Sequence, residues 1–488
     1  MKLHLAIPIM SVILLLFITG CGDDDTRVDK SLYEIVIVKD TSQYLGTVTI
    51  MFMTGHANDP DDKDGVAGLV PRILINHDFG RNKTCLVDSL AVLNAKLEIE
   101  IGYEYTTFSL ISNSDNLYSA FNLLAFSFLH PDFSNLDTKL KQITANENRT
   151  DDSALTVNVV RSVLFHGGSD DFAFSTGREL TSTDIRNFFD NYYCKDNIAI
   201  GISGNVPESL QVFMTSAFDS LKENSKKSKP DFEHTMEDSI VVLIERPSTR
   251  ISHFAVGIPI EIETEDFYPT LIVALYLGGC VEGSGLISER LVFDRSISPY
   301  ARGTLLPIHA GFSEHGILDM VPSENCTFII ESATTEENLE FSLKLILASI
   351  KDAVKNGIPG DDIERFKRYL LNSFLLRSAC PEKRVKCLLD EILISDSLFM
   401  ERFESEILKI SDSAVNMALK EAFSDIRYVI AAVVKDAEQT KSDLLDGSTD
   451  VNYDSAVEED KLRYRDLTIR ERGFITEPDR IIIRQNIY

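Results

Sequence analysis

The sequence predicts an α+β fold of two homologous domains, each a mostly antiparallel sheet packed on one side by helices. Three observations carry that prediction. From about residue 31 onward, strand-like apolar runs are interleaved with runs at helical spacing. The same order of strands and helices returns after a polar, apolar-poor stretch, ENSKKSKPDFEHTMED, near residues 222–237. A chain of 488 residues is also long enough for two or three domains with cores of their own.

The elements follow in order. YEIVIVKD and GTVTIMFMTG read as strands, and residues 66–77 read as a helix entered through a turn at Asp64, Gly65 and Gly68. AKLEIEIGYEYTTFSLIS reads as two paired strands with Gly102 at the turn. SDNLYSAFNLLAFSFLH has helical spacing, with Ser114 or Asp115 as its cap and Pro131 just beyond its end. TSTDIRNFFDNYYCKDNIAIGISGNV gives a helix capped by Thr181 or Ser182, a turn at Lys195–Asp196 and a buried strand. Past the linker come strands SIVVLIERP and SHFAVGIPIE, helix YPTLIVALYLGG and strand CTFIIESA. Two long helices follow, one closing on Gly357 and the next opening on Pro359 and Asp361. The boundaries expected are a signal peptide at 1–21, an acidic tether at 22–30, a first domain at 31–225 and a linker at 226–237. A second domain at 238–445 and an acidic tail at 446–488, relieved by the strand-like DRIIIRQ, complete the chain.

The N-terminus carries the addressing signal. Lys2 precedes the apolar run LAIPIMSVILLLFITG, which ends at Cys21 and is too short for a comfortable membrane span. ITGC resembles the bacterial lipobox, and that resemblance implies lipidation of Cys21 and a place in the bacterial cell envelope, on the outer membrane or the cell surface. The net charge of −28 opposes nucleic acid as a partner and favours basic or neutral ones. Cys85, Cys194, Cys280, Cys326, Cys380 and Cys387 show no zinc-type spacing, and the sequence does not assign them to pairs. GGCVEGSG at 278–285 lacks the Lys-Ser/Thr that a phosphate-binding loop needs, and FHGGSDD at 165–171 has no nucleophile elbow to accompany it.

The order of elements and the wording of several stretches resemble the insulinase/pitrilysin family of zinc peptidases, which includes the subunits of mitochondrial processing peptidase. GVAGLVPRIL stands where that family writes its inverted zinc helix. LTSTDIRNFFDNYYCKDNIAIGISGNV resembles the end of the family's first domain, and HFAVGIPIEIETEDFYPTLIVALYLGG the start of its second. Carried over residue by residue, the two zinc histidines fall on Pro71 and Ile75 and the general base on Leu74. The third ligand falls on Ala145 or Glu147. Pro71, Leu74 and Ile75 can neither bind metal nor move a proton, so no zinc and no other cofactor is expected. His56, His77 and Asp78 read as loop polar residues rather than a shifted metal site. The family's pair of substrate-gripping residues falls on Arg295 and Tyr300. The resemblance implies half of a clamshell that is catalytically silent, binding peptide or serving as the partner of an active peptidase subunit of the same family. Two other readings stay open: an active zinc endopeptidase with a non-standard site, and a purely structural surface lipoprotein.

Overall fold

The computed structural model of the chain describes residues 25–30, 33–40, 42–60, 63, 65–75, 78–79, 84–133, 136, 151–165, 180–223, 236, 238–279, 284–307, 322–393, 399–447, 451, 466–470 and 477–485. Cys21, His77, Ala145 and Glu147 lie outside them, as does most of the expected linker.

The first sheet is built from β1 (Asp25–Lys30), β2 (Tyr33–Lys39), β3 (Leu45–Phe52), β4 (Lys96–Ile101), β5 (Thr106–Asn113) and β6 (Ile198–Gly204), in the order β1-β2-β6-β3-β5-β4. Only β2 and β6 run parallel. The second sheet is built from β7 (Ile240–Glu245), β8 (Ser252–Glu261), β9 (Ala301–Pro307), β10 (Asn325–Thr334), β11 (Val429–Val434) and β12 (Ile481–Gln485). Its order, β12-β7-β11-β8-β10-β9, repeats the first strand for strand, again with the second and third strands parallel. The outermost strand breaks the symmetry: β1 arrives from the N-terminal side and pairs antiparallel, whereas β12 arrives from the C-terminal side and pairs parallel.

Each sheet carries its own domain's helices on one face. On the first these are α1 (Val66–Ile75), α2 (Leu86–Val92), α3 (Ser114–Leu129), α5 (Ser182–Tyr192) and α6 (Glu208–Ala217). They pack over Ile35, Ile37, Val48, Ile50, Phe52, Ile200 and Ile202. On the second, α7 (Phe267–Gly278), α8 (Leu339–Asn356), α9 (Gly360–Ser378), α11 (Phe399–Lys409), α12 (Asp412–Phe423) and α13 (Ala437–Asp446) cover Phe254, Val256, Ile258, Phe328, Ile330 and Ile430. The caps follow side-chain chemistry. Thr181 and Asp184 form a capping box on α5. The α3 cap is Asn113 rather than the expected Ser114 or Asp115, because its carboxamide oxygen accepts from Asn116 N at 2.9 Å.

The opposite faces of the sheets are covered too, by exchange. α4 (Asp152–Phe165) belongs to the first domain by sequence, yet it lays Leu155, Val157, Val159, Val160, Val163 and Leu164 on Val242, Ile244, Ala255, Val429, Ala431 and Val433 of the second sheet. α10 (Pro381–Leu393) answers it, laying Val385, Leu388 and Leu389 on Val36, Val38, Met51 and Ala199 of the first sheet. Each docking helix fits where a strand carries glycine. A Cβ on Gly201 would stand 2.2 Å from Val385 Cγ1, and one on Gly257 would stand 2.2 Å from Val160 Cγ1. A polar contact joins the exchange at its rim: Lys386 of α10 reaches Glu100 of β4 at 3.0 Å and lies over the ring of Tyr105.

Two expected boundaries are corrected. Residues 25–30 form an edge strand where a free acidic tether was expected. Residues 466–470 make a helical turn within what was expected to be a weakly patterned tail, and the strand-like DRIIIRQ joins the second sheet at 481–485.

Candidate functional site

α1 turns Val66, Ala67, Leu69, Val70, Pro71, Ile73 and Leu74 into the first core. What stays outside is a strip at helical spacing, namely Gly65, Gly68, Arg72 and Ile75. The turn His56–Asn58 leans across this strip: a Cβ on Gly68 would stand 3.3 Å from His56 Cε1 and 3.9 Å from Nε2. His56 is held there by Asp59, whose Oδ2 lies 3.1 Å from Nδ1. Asp59 is itself 1% exposed and accepts from Gly65 N at 2.9 Å and Ala67 N at 2.6 Å, so one carboxylate caps α1 and orients the imidazole. Burial lowers the pKa of the Arg72 guanidinium from its ordinary value.

The positions to which the family likeness assigns the zinc histidines therefore do not share an open face. Pro71 is in the core and Ile75 is at its margin, and Leu74, assigned the base, is 2% exposed. The pair one turn apart that does leave the core is Gly68 and Arg72. Among the described residues, no three His, Cys, Asp or Glu side chains converge as a metal site would need. Asp78 lies in a two-residue ladder with Thr84–Cys85.

Tyr300 sits where α4 meets the second sheet, just ahead of β9. Its hydroxyl is 3.3 Å from Ser153 Oγ, in the first turn of α4, and 3.3 Å from His253 Nδ1 on β8. Ser153 Oγ also donates to Glu331 Oε2 at 3.1 Å, and Arg302 pairs with the same oxygen at 2.8 Å. The register explains the cluster: Arg302 stands directly opposite Glu331, and Glu331 opposite Ala255, so these side chains project from the face that receives α4. Arg246 grips Asp152 alongside. Burial raises the pKa of the Tyr300 hydroxyl, with its hydrogen bond to Ser153 opposing the shift. Tyr300 is half-buried, and the Arg302 side chain is 48% exposed.

Arg295 is not with them, which corrects the expectation of an Arg295–Tyr300 surface pair. Its side chain is wholly buried and bonds Asp466 through Nε at 3.1 Å and Nη2 at 2.6 Å, while Nη1 donates to Arg290 O at 2.8 Å. The arginine beside Tyr300 is Arg302. Its place at i+2 from the tyrosine, leading into a strand, was the available signal. Ser153, His253 and Glu331 carried none, because only the pairing of β8 with β10 and the docking of α4 on that sheet bring them together.

Comparison with known proteins sets this geometry in a family. Residues 34–167 match the model for insulinase (peptidase family M16), and residues 179–370 match that for the peptidase M16 inactive domain. The uncharacterized zinc protease YmxG of Bacillus subtilis (strain 168) is 19% identical over 401 residues, 78% of this chain and 90% of the relative. A peptidase M16 inactive domain from Pseudomonas fluorescens superposes with a TM-score of 0.68 at 17% identity, over 84% of this chain and 97% of that one. A protease from Helicobacter pylori gives 0.67 at 14% identity, over 84% and 99%. The periplasmic protease PqqL of Escherichia coli gives 0.58 at 11%, over 85% of this chain and 47% of its own. With both halves matched by models of one family and the two-sheet layout shared with these structures, the chain belongs to the M16, or insulinase, peptidase family.

Proposed function

We propose that this chain is a catalytically inactive M16 homologue, held to a bacterial envelope through lipid on Cys21, that binds peptide or an active family subunit without cutting. One observation carries the first part. An inverted zinc helix needs His-x-x-Glu-His with both histidines on one open face. On α1 the i, i+4 pair that leaves the core is Gly68 and Arg72, with Pro71 at the position of the base. Glycine offers no donor atom, arginine offers a fixed cation that repels one, and proline offers no proton acceptor. Neither this register nor the one on Pro71, Leu74 and Ile75 fits zinc. Purified protein should hold well under equimolar zinc by elemental analysis, and chelator should leave its melting temperature unchanged. Near-equimolar zinc surviving dialysis, or chelator-sensitive cleavage of an unfolded protein substrate, would end this reading.

The peptide-contact reading is supported by the half-exposed Tyr300 beside exposed Arg302, next to the edge strand β9, where an extended chain would find backbone partners. The anchor reading is supported by ITGC at residues 18–21. Cys21→Ser should release the protein from membranes or leave an unprocessed precursor. Equal labelling of both forms by a fatty acid would refute it.

A further inference from the structure

The C-terminal residues 466–470 and 477–485 are held by charged contacts as well as by the ladder of β12 on β7. Asp466, 1% exposed, closes a two-point bond on the wholly buried Arg295. Lys344 of α8, buried and paired with Glu340 at 2.7 Å, donates to Arg470 O at 2.9 Å and Gly447 O at 3.2 Å. Lys441 of α13 donates to Ile481 O at 2.9 Å. Apolar anchoring is thin by comparison: in this stretch Ile469 and Ile481 are the hydrophobic side chains buried in the core.

Arg295 and Tyr300 share one turn, and that turn is under constraint. Residues 289–293 form a π-type helical turn, and Ser296 adopts the left-handed φ of +54°, costly for a residue with a side chain. At its far end the turn is pinned by Thr334 Oγ1, which donates to Ile297 O at 2.6 Å, and by Ser332 Oγ, which donates to Tyr300 O at 2.7 Å. At its near end the pins are Arg290, which donates to Ser349 Oγ at 2.9 Å and Asp352 Oδ2 at 3.1 Å, and Arg295, whose partner is Asp466. We propose that the C-terminal segment is a strap that sets the position of Tyr300 against Ser153 and His253, with Asp466 and Arg295 as its positioning residues. Asp466 thereby controls the seam between α4 and the second sheet. This holds whether or not a peptide lies on Tyr300, because the contacts that the strap sets are internal to the chain.

Buried ion pairs supply the means of separating positioning from mere adhesion. Removing one partner strands the other charge, whereas replacing both by apolar groups is often neutral for stability. The test is amide hydrogen exchange on the full chain, read at residues 297–303 and 151–156. In the wild type, amides of 468–470 and 300–302 should open together in a step below global unfolding. Asp466→Asn should lower the melting temperature by roughly 5 °C or more and speed exchange at both seam stretches about ten-fold, leaving β3 and β6 protected. Arg295→Met with Asp466→Leu should recover most of the melting temperature while the seam still exchanges fast. Two results would overturn the proposal: wild-type strap amides that open while the seam stays protected, or a double variant that restores seam protection along with stability. Either would make the pair core adhesive only.

Discussion

Asp59 shows how much a single buried side chain organises in this molecule. It accepts from Gly65 N, Ala67 N and His56 Nδ1, so Asp59→Ala would orphan two helix-terminal donors and free the imidazole that overlies Gly68. A loss of about 2–3 kcal/mol is expected from the cap and its desolvated donors, measurable by denaturant unfolding. Asp59→Asn, which keeps an acceptor, should lose less. The tyrosines give a pH-dependent counterpart. Burial raises the pKa of Tyr103, Tyr193, Tyr276, Tyr300 and Tyr428, Tyr103 to about 12 with the charges of Glu104 and Asp59 adding to it. A folded-state pKa above the unfolded value of 10.0 means the stabilisation from Tyr103 is fully present below pH 10 and is lost as pH rises toward 12. Tyrosinate absorbance should therefore stay short of full amplitude at pH 11 and jump when alkali unfolds the chain; a smooth titration centred at 10 with the fold intact would contradict these burials. For Tyr300 itself, replacement by Ala should weaken the proposed peptide binding by ~1 kcal/mol or more, and equal binding in anisotropy titrations would favour the purely structural lipoprotein instead. At this scale the sequence was legible for types and not for partners. Tyr300 and Thr181 could be singled out by motif, but Arg295 read as a surface grip because nothing local reveals a carboxylate at position 466.

Among the elements, strands and helices were legible because their periodicity is local, and their docking was not. NIAIGISGNV reads as buried on both sides, and Ile200 and Ile202 do face one core while Ala199 and Gly201 face another. What covers the second side, a helix from the other half of the chain, is a long-range choice that no window contains. The glycines in those strands record it. Gly257 has no side chain because Val160 Cγ1 and Leu164 Cδ1 occupy the space, 2.2 and 3.1 Å from where a Cβ would stand. Gly257→Val should cost about 1–3 kcal/mol by overpacking, and Val160→Ala should recover part of it. A double-mutant cycle on thermal or denaturant unfolding reads the coupling, and strict additivity would mean that α4 does not sit on Gly257.

At the scale of the whole chain, the exchange of α4 and α10 makes the two domains dependent on each other. Six α4 side chains from Leu155 to Leu164 are buried against the second sheet, which by transfer energies amounts to on the order of 10 kcal/mol as an upper bound. A domain seldom has more net stability than that to lose. Cut between residues 235 and 236, the N-terminal piece would keep α4 with no sheet to cover and would expose Val36, Val38, Met51 and Ala199; the C-terminal piece would expose Val242, Ala431 and Val433. Each piece alone should therefore aggregate or lack a cooperative transition. Co-expressed, the two should recover a soluble one-to-one complex, since the exchanged helices need no covalent link to find their sheets. Size-exclusion chromatography with light scattering, together with thermal unfolding of each piece and of the mixture, decides it. If either piece alone is monomeric with a melting temperature near that of the full chain, the helices do not tie the halves together. The fold would then be two independent domains in series, as the sequence had suggested.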